Sequence, residues 1–165
     1  MADINNLKYV LNSHSDLDEE TEVLFESKYF DDKSFVKSIG TKKGNFNVLS
    51  SNIESLHSKH KRLVTYLDDL KIQGVTVHAL CFQECWLDKL GSDNASVAYP
   101  LDGYKLISKP SSASAKGGLV VYLVDGLEGK IMNINGTNDK IWEKMFLEVT
   151  GFANGSKLTL GNVYR

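Results

Sequence analysis

The stretch from Phe46 to Phe82 constrains the fold most, because its apolar residues change period twice. Phe46-Asn47-Val48-Leu49-Ser50-Ser51-Asn52 reads as a strand that ends in polar residues. From Lys59 to about Gln73 the apolar residues Leu63, Val64, Leu67 and Leu70 recur at helical spacing and mark one buried face. Ser58 is placed to cap this helix and Gly74 to stop it. Val75 to Phe82 is a β-rich apolar run, the signature of a central strand. Strand, helix and strand in this order predict a crossover unit with two parallel strands.

Beyond Glu84 the pattern turns to β alone. A loop is expected from Leu87 to about Pro100, then a short strand from Tyr104 to Lys109 and a flexible turn from Ser111 to Lys116. Gly117-Gly118 opens a buried strand, Leu119 to Val124, and strands at Ile131–Ile134, Ile141–Val149 and Lys157–Tyr164 follow. In the second of these, Ile141, Met145, Leu147 and Val149 share a face; in the third, Leu158, Leu160, Asn162 and Tyr164 do. Residues 1–44 differ: acidic, then mixed, then Gly40-Thr41-Lys42-Lys43-Gly44. They read as a leader or linker, partly disordered, with a short helix possible around Glu20 to Tyr29, ahead of a domain over 45–165. No internal repeat is visible.

With 165 residues the chain is long enough to bury roughly 70% of its unfolded surface. A net charge of −2 gives no argument for nucleic-acid binding, although Lys59-His60-Lys61-Arg62 forms a local basic cluster. The N-terminus lacks a secretory signal, and no apolar run approaches the roughly 20 residues of a membrane span, so no membrane partner is expected. Cys81 and Cys85, if both lie on one strand, would be roughly 13 Å apart, too far for a disulfide. Free thiols suit an intracellular, reducing setting.

Polar residues end three of the expected strands: Asn52, Glu84 and Tyr164. In open α/β sheets, ligands sit outside the carboxyl ends of the strands. A carboxylate suits Mg²⁺, an amide can bind phosphate oxygen or orient an acid, and a tyrosine hydroxyl can donate to phosphate. Phosphodiester cleavage uses such a set. On spacing alone the better reading is strand-end polar residues and a core tyrosine. A zinc site at His78, Cys81 and Cys85, with His57 or His60, fails the usual ligand spacing, and buried cysteines are the better reading. A Cys85 nucleophile served by His78 fails because the two point to opposite faces of a strand.

Several of these segments carry a resemblance. Val48-Leu49-Ser50-Ser51-Asn52-Ile53-Glu54-Ser55-Leu56, followed by Lys59, resembles the first motif of the endonuclease/exonuclease/phosphatase superfamily. It is closest to the apurinic-type endonuclease domains of non-LTR retrotransposons, which read Asn-Ile-x-Ser-Leu-x-x-Lys there. Gln83-Glu84-Cys85-Trp86-Leu87 resembles the second motif, and Gly103-Tyr104 and Lys116-Gly117-Gly118-Leu119 the next segments. Trp142-Glu143 with Glu148, and Leu160-Gly161-Asn162-Val163-Tyr164-Arg165, resemble two further strands. The resemblance covers about Phe46 to Arg165.

The fold it implies is α/β, the N-terminal half of a two-sheet α/β/β/α sandwich. The activity it implies is Mg²⁺-dependent nicking of DNA at retrotransposon target sites, with Mn²⁺ as a possible substitute and a nuclear setting for access to the target. Glu84 would ligate the metal, Asn52 would sit beside metal and phosphate, and Tyr164 would contact the scissile phosphate. Lys59 and Arg62 would touch the DNA backbone. The superfamily's later Gly-Asp-[Phe/Leu]-Asn and Ser-Asp-His motifs do not occur in these 165 residues. A C-terminal half beyond Arg165 is therefore the expected partner, and Leu158 and Leu160 would be exposed without it. The alternative is a retroelement remnant without catalysis that binds nucleic acid or protein. A third reading is a phosphatase of the same superfamily acting on small phosphoesters.

Overall fold

The computed structural model describes residues 8–10, 24–26, 34, 36–38, 45–87, 92–111, 116–134 and 142–164. The chain divides into two compact units, Met1–Thr41 and Lys42–Arg165. In the first, β1 (Lys8–Val10) pairs antiparallel with β2 (Leu24–Glu26). The helix expected around Glu20 to Tyr29 is therefore a strand at residues 24–26; its other residues lie outside those described.

The second unit holds two sheets. The first contains β3 (Val48–Asn52), β4 (Ala79–Gln83), β5 (Tyr104–Lys109) and β6 (Leu119–Val124), in the order β3-β4-β6-β5. β3 and β4 run parallel, with Asn52 opposite Gln83, and α1 (Leu56–Ile72) is the crossover between them. The second sheet contains β7 (Glu128–Ile131), β8 (Glu143–Thr150) and β9 (Leu158–Tyr164), in chain order and antiparallel. The fold is α/β with two sheets, as the resemblance implies, and its parallel crossover is the one expected from the alternation of periods.

Alternation along the strands builds the layers. Ala79, Cys81, Leu119, Val121 and Leu123 point from the first sheet into a core shared with Met145, Leu147 and Val149 of the second. Each buried Leu, Val or Met among these contributes about 1.5–3 kcal/mol. Leu158 and Leu160 pack against this core and are half-buried, not exposed, because the two sheets already face each other. On the opposite face of the first sheet, Phe82 and Tyr122 meet edge to face, and Tyr122 Oη donates to Tyr99 O (2.8 Å). The Tyr99 ring in turn lies against His57 and His60 of α1. The helical layer is therefore on this side.

Local differences from the sequence reading have tertiary causes. α1 starts at Leu56, and its cap is Ser55, not Ser58. The reason is that Ser55 N and Leu56 N donate to Glu84 O (2.8 Å) and Cys85 O (3.0 Å), which carries the first turn onto the end of β4. Gly74 follows the helix with a φ of 73°, as a helix stop requires. The ladder of β4 begins only at Ala79, because Val75 and Val77 are buried without strand partners. The expected loop before Pro100 contains α2 (Ser92–Ala98), anchored by the buried Ala95. The strand expected at Ile131–Ile134 lies earlier, at Glu128–Ile131. Ile141 and residues 112–115 of the expected turn lie outside the described residues.

Candidate active site

The parallel strands β3 and β4 end side by side, and both then leave the sheet in left-handed backbone. Glu54 (φ 46°), Ser55 (φ 83°), Glu84 (φ 50°) and Trp86 (φ 53°) all have positive φ without being glycine. Four such residues in two adjoining loops are uncommon, and strain of this kind clusters at functional sites. Backbone bonds hold the loops together: Ile53 N to Gln83 O (3.0 Å) on one side, Cys85 N to Gly118 O (3.1 Å) and Trp86 N to Gly117 O (2.9 Å) on the other.

This bend aims Glu84 at the end of β9. Tyr164 Oη donates to Glu84 Oε1. Asn52, at the end of β3, is near enough to both side chains to lower the pKa of each, and its Oδ1 accepts from Glu54 N (3.3 Å). Three residues from three separate strand ends thus gather in one cluster, with Tyr164 and Glu84 hydrogen-bonded and Asn52 beside them. Tyr164, Asn52 and the nearby charge of Lys116 hold the Glu84 carboxyl below its ordinary range. The carboxylate of Glu84, with some burial and the charge of Glu143, pushes Tyr164 above its ordinary value. At neutral pH the cluster is an anionic carboxylate facing a neutral phenol.

Lys59 and Arg62 lie on α1, half-buried and exposed respectively. The cation that acts on Glu84 is Lys116, whose Nζ lies 5.7 Å from the centre of the Trp86 ring. Glu143 is a second acid of the region. It stands opposite Tyr164 in the β8–β9 register, and its Oε2 accepts from Gly118 N (2.7 Å). It fixes the turn that receives Cys85 and Trp86. Sequence reasoning assigned neither Lys116 nor Glu143 a role; the Gly117-Gly118 pair between their contacts was the available signal.

The oxygen donors fit a hard cation with a sparse protein shell. Mg²⁺ commonly takes one or two carboxylates and keeps several waters, and Glu84 with the Asn52 amide would supply that much. Among the described residues no group of three His, Cys, Asp or Glu side chains gathers to cage a metal ion. The rival chemistries find no geometry. His78 Nδ1 accepts from Asn47 N (3.0 Å), its ring stacks on Phe46, and burial lowers its pKa. Cys85 lies beyond the end of β4, so the two cysteines do not share a strand. Burial pushes Cys81 up to about 11 and Cys85 up to about 12, so both stay protonated thiols rather than nucleophiles.

No family model matches the chain, and no curated protein matches it. Solved structures do. The AP endonuclease LMAP from Leishmania major superposes over 72% of this chain with a TM-score of 0.53 and 17% identity. Truncated TDP2 from Caenorhabditis elegans covers 69% at 16% identity, with a TM-score of 0.42. The chain spans 40% of the length of the first and 43% of the second. At this identity the likeness to the Leishmania enzyme is one of fold: the chain has an α/β sandwich of the endonuclease/exonuclease/phosphatase type.

Proposed function

We propose that this chain supplies the cation- and phosphate-facing part of a Mg²⁺-dependent phosphodiesterase that nicks DNA, of the kind retrotransposons use to open a target site. The observation that carries the reading is the convergence of Asn52, Glu84 and Tyr164 at the carboxyl ends of the strands. The retrotransposon assignment draws on the wording of the Asn-Ile-x-Ser-Leu and Gln-Glu-x-Trp-Leu segments, and the DNA substrate on the AP endonuclease likeness. Such a protein would work in the nucleus.

In this reading Glu84 and Asn52 hold Mg²⁺, or Mn²⁺ in its place. The bound ion would polarise a phosphoryl oxygen and stabilise the charge that develops there. With phosphate bound, Tyr164 would turn its one O–H from Glu84 to a phosphate oxygen. Lys116 keeps positive potential at the same point, and Lys59 and Arg62 follow the DNA backbone. The depressed pKa of Glu84 keeps it ionised, as a cation ligand must be. No general base is evident among the described residues, and a second polypeptide segment with the superfamily's Asp, Asn and His residues completes the proposal.

The test joins such a segment, from an endonuclease of this fold, after Arg165. Supercoiled plasmid with Mg²⁺ should then be nicked, and Glu84→Gln should lower the rate by about 10²–10⁴. Tyr164→Phe should lower it without changing the metal dependence. Equal nicking with Glu84→Gln would contradict the assignment. A folded protein that binds the plasmid and never cuts it would favour the non-catalytic alternative.

A further inference from the structure

One hydrogen-bonded layer lies directly beneath the cluster and takes one residue from each strand that builds it. Ser50, Gln83 and Asn162 stand behind Asn52, Glu84 and Tyr164. Ser50 is two residues before Asn52 on β3, and Asn162 two before Tyr164 on β9, so each shares a face with its partner. Gln83 is the residue before Glu84. Gln83 Nε2 donates to Asn162 Oδ1 (2.5 Å) and to Ser50 Oγ (3.2 Å). Asn162 Nδ2 donates to Phe82 O (3.0 Å) and Val120 O (3.2 Å). Gln83 is 9% exposed and Asn162 2%.

The other buried side chains described between the sheets are apolar. Apolar contact is non-directional and tolerates small slips of one sheet over the other. Two interlocked amides do not, because a shift of an ångström breaks several directional bonds at once. A pair of apolar residues of the same shape would serve stability about as well. What the amides add is alignment of β9 against β4.

We propose that Gln83 and Asn162, with Ser50 at the rim, are positioning residues that set Tyr164 and Asn52 against Glu84. The proposal rests on the reading of those three side chains as one centre. Its test uses neither DNA nor metal, so a failure to nick and a failure of positioning are separate results. The protein is labelled with 3-fluorotyrosine, and the Tyr164 resonance is identified by its loss in Tyr164→Phe. Glu84→Gln should shift that resonance in the otherwise unchanged protein. The double variant Gln83→Met/Asn162→Leu leaves neither amide behind unpaired. It should melt near the parent temperature, while its Tyr164 resonance moves toward that of an exposed tyrosine and no longer responds to Glu84→Gln. Should the double variant fail to fold, Gln83→Met alone is read by the same signal. A Tyr164 resonance that keeps its full response to Glu84→Gln without the amides would overturn the proposal.

Discussion

Glu84 and Tyr164 show how a site is made from two ordinary residues. Neither is deeply buried, yet their contact moves both pKa values apart, the carboxyl down and the phenol up. Linkage turns this into a pH dependence. The lowered carboxyl contributes stability above its ordinary value of 4.5 and loses it as pH falls through the folded value. The raised phenol contributes stability below its ordinary value of 10.0 and loses it as pH rises through the folded value. Tyr164→Phe removes the chief cause of the Glu84 shift. The stability difference between parent and Tyr164→Phe, measured by urea unfolding, should be steady at neutral pH. It should narrow on acidification below about 4.5, and on the alkaline side beyond about 10. A difference that widens on acidification would show that the hydrogen bond is not made.

At the scale of elements, the register of β8 and β9 places Glu143 and Tyr164 side by side, and the turn at their far ends sets that register. Gly151 begins that turn with a φ of 99°, and a Cβ there would meet Gly126 O and come within 3.1 Å of Leu127 Cα. Gly151→Ala should cost roughly 1–3 kcal/mol in urea unfolding. The Tyr164 end of β9 should keep its geometry, since it lies six residues beyond the start of the strand at Leu158. No loss of stability would mean that the turn relaxes freely. The elements also show what a sequence displays. β3, α1 and β4 were legible because Leu63 and Leu70 repeat at helical spacing and Ala79–Gln83 is apolar throughout. α2 was not, because Ala95 is its single buried apolar anchor and Val97 points to solvent. Ser58 looked like the cap, and Ser55 holds that place because bonds to the end of β4 decide the first turn.

At the scale of the molecule, the site is a product of the sandwich. Asn52 and Glu84 end neighbouring parallel strands, which the crossover pattern foretold; Tyr164 reaches Glu84 across 80 positions of chain. The amide contact of Gln83 with Asn162 spans 79. No local pattern encodes such partners, so the three strand-end residues could be named from sequence and the layer beneath them could not. Trp142, just before β8, is 43% exposed and Val163 of β9 44%, both at the same end of the second sheet as Tyr164.

In the proposed centre Glu84 and Asn52 hold the cation and Tyr164 stands beside it. Mn²⁺ titrated into the 3-fluorotyrosine protein tests it directly, because a paramagnetic ion broadens the resonances nearest to it. The Tyr164 line should broaden before those of the other tyrosines, Mg²⁺ should reverse the effect, and Glu84→Gln should abolish it. Broadening that spares Tyr164, or that persists undiminished in Glu84→Gln, would contradict the account.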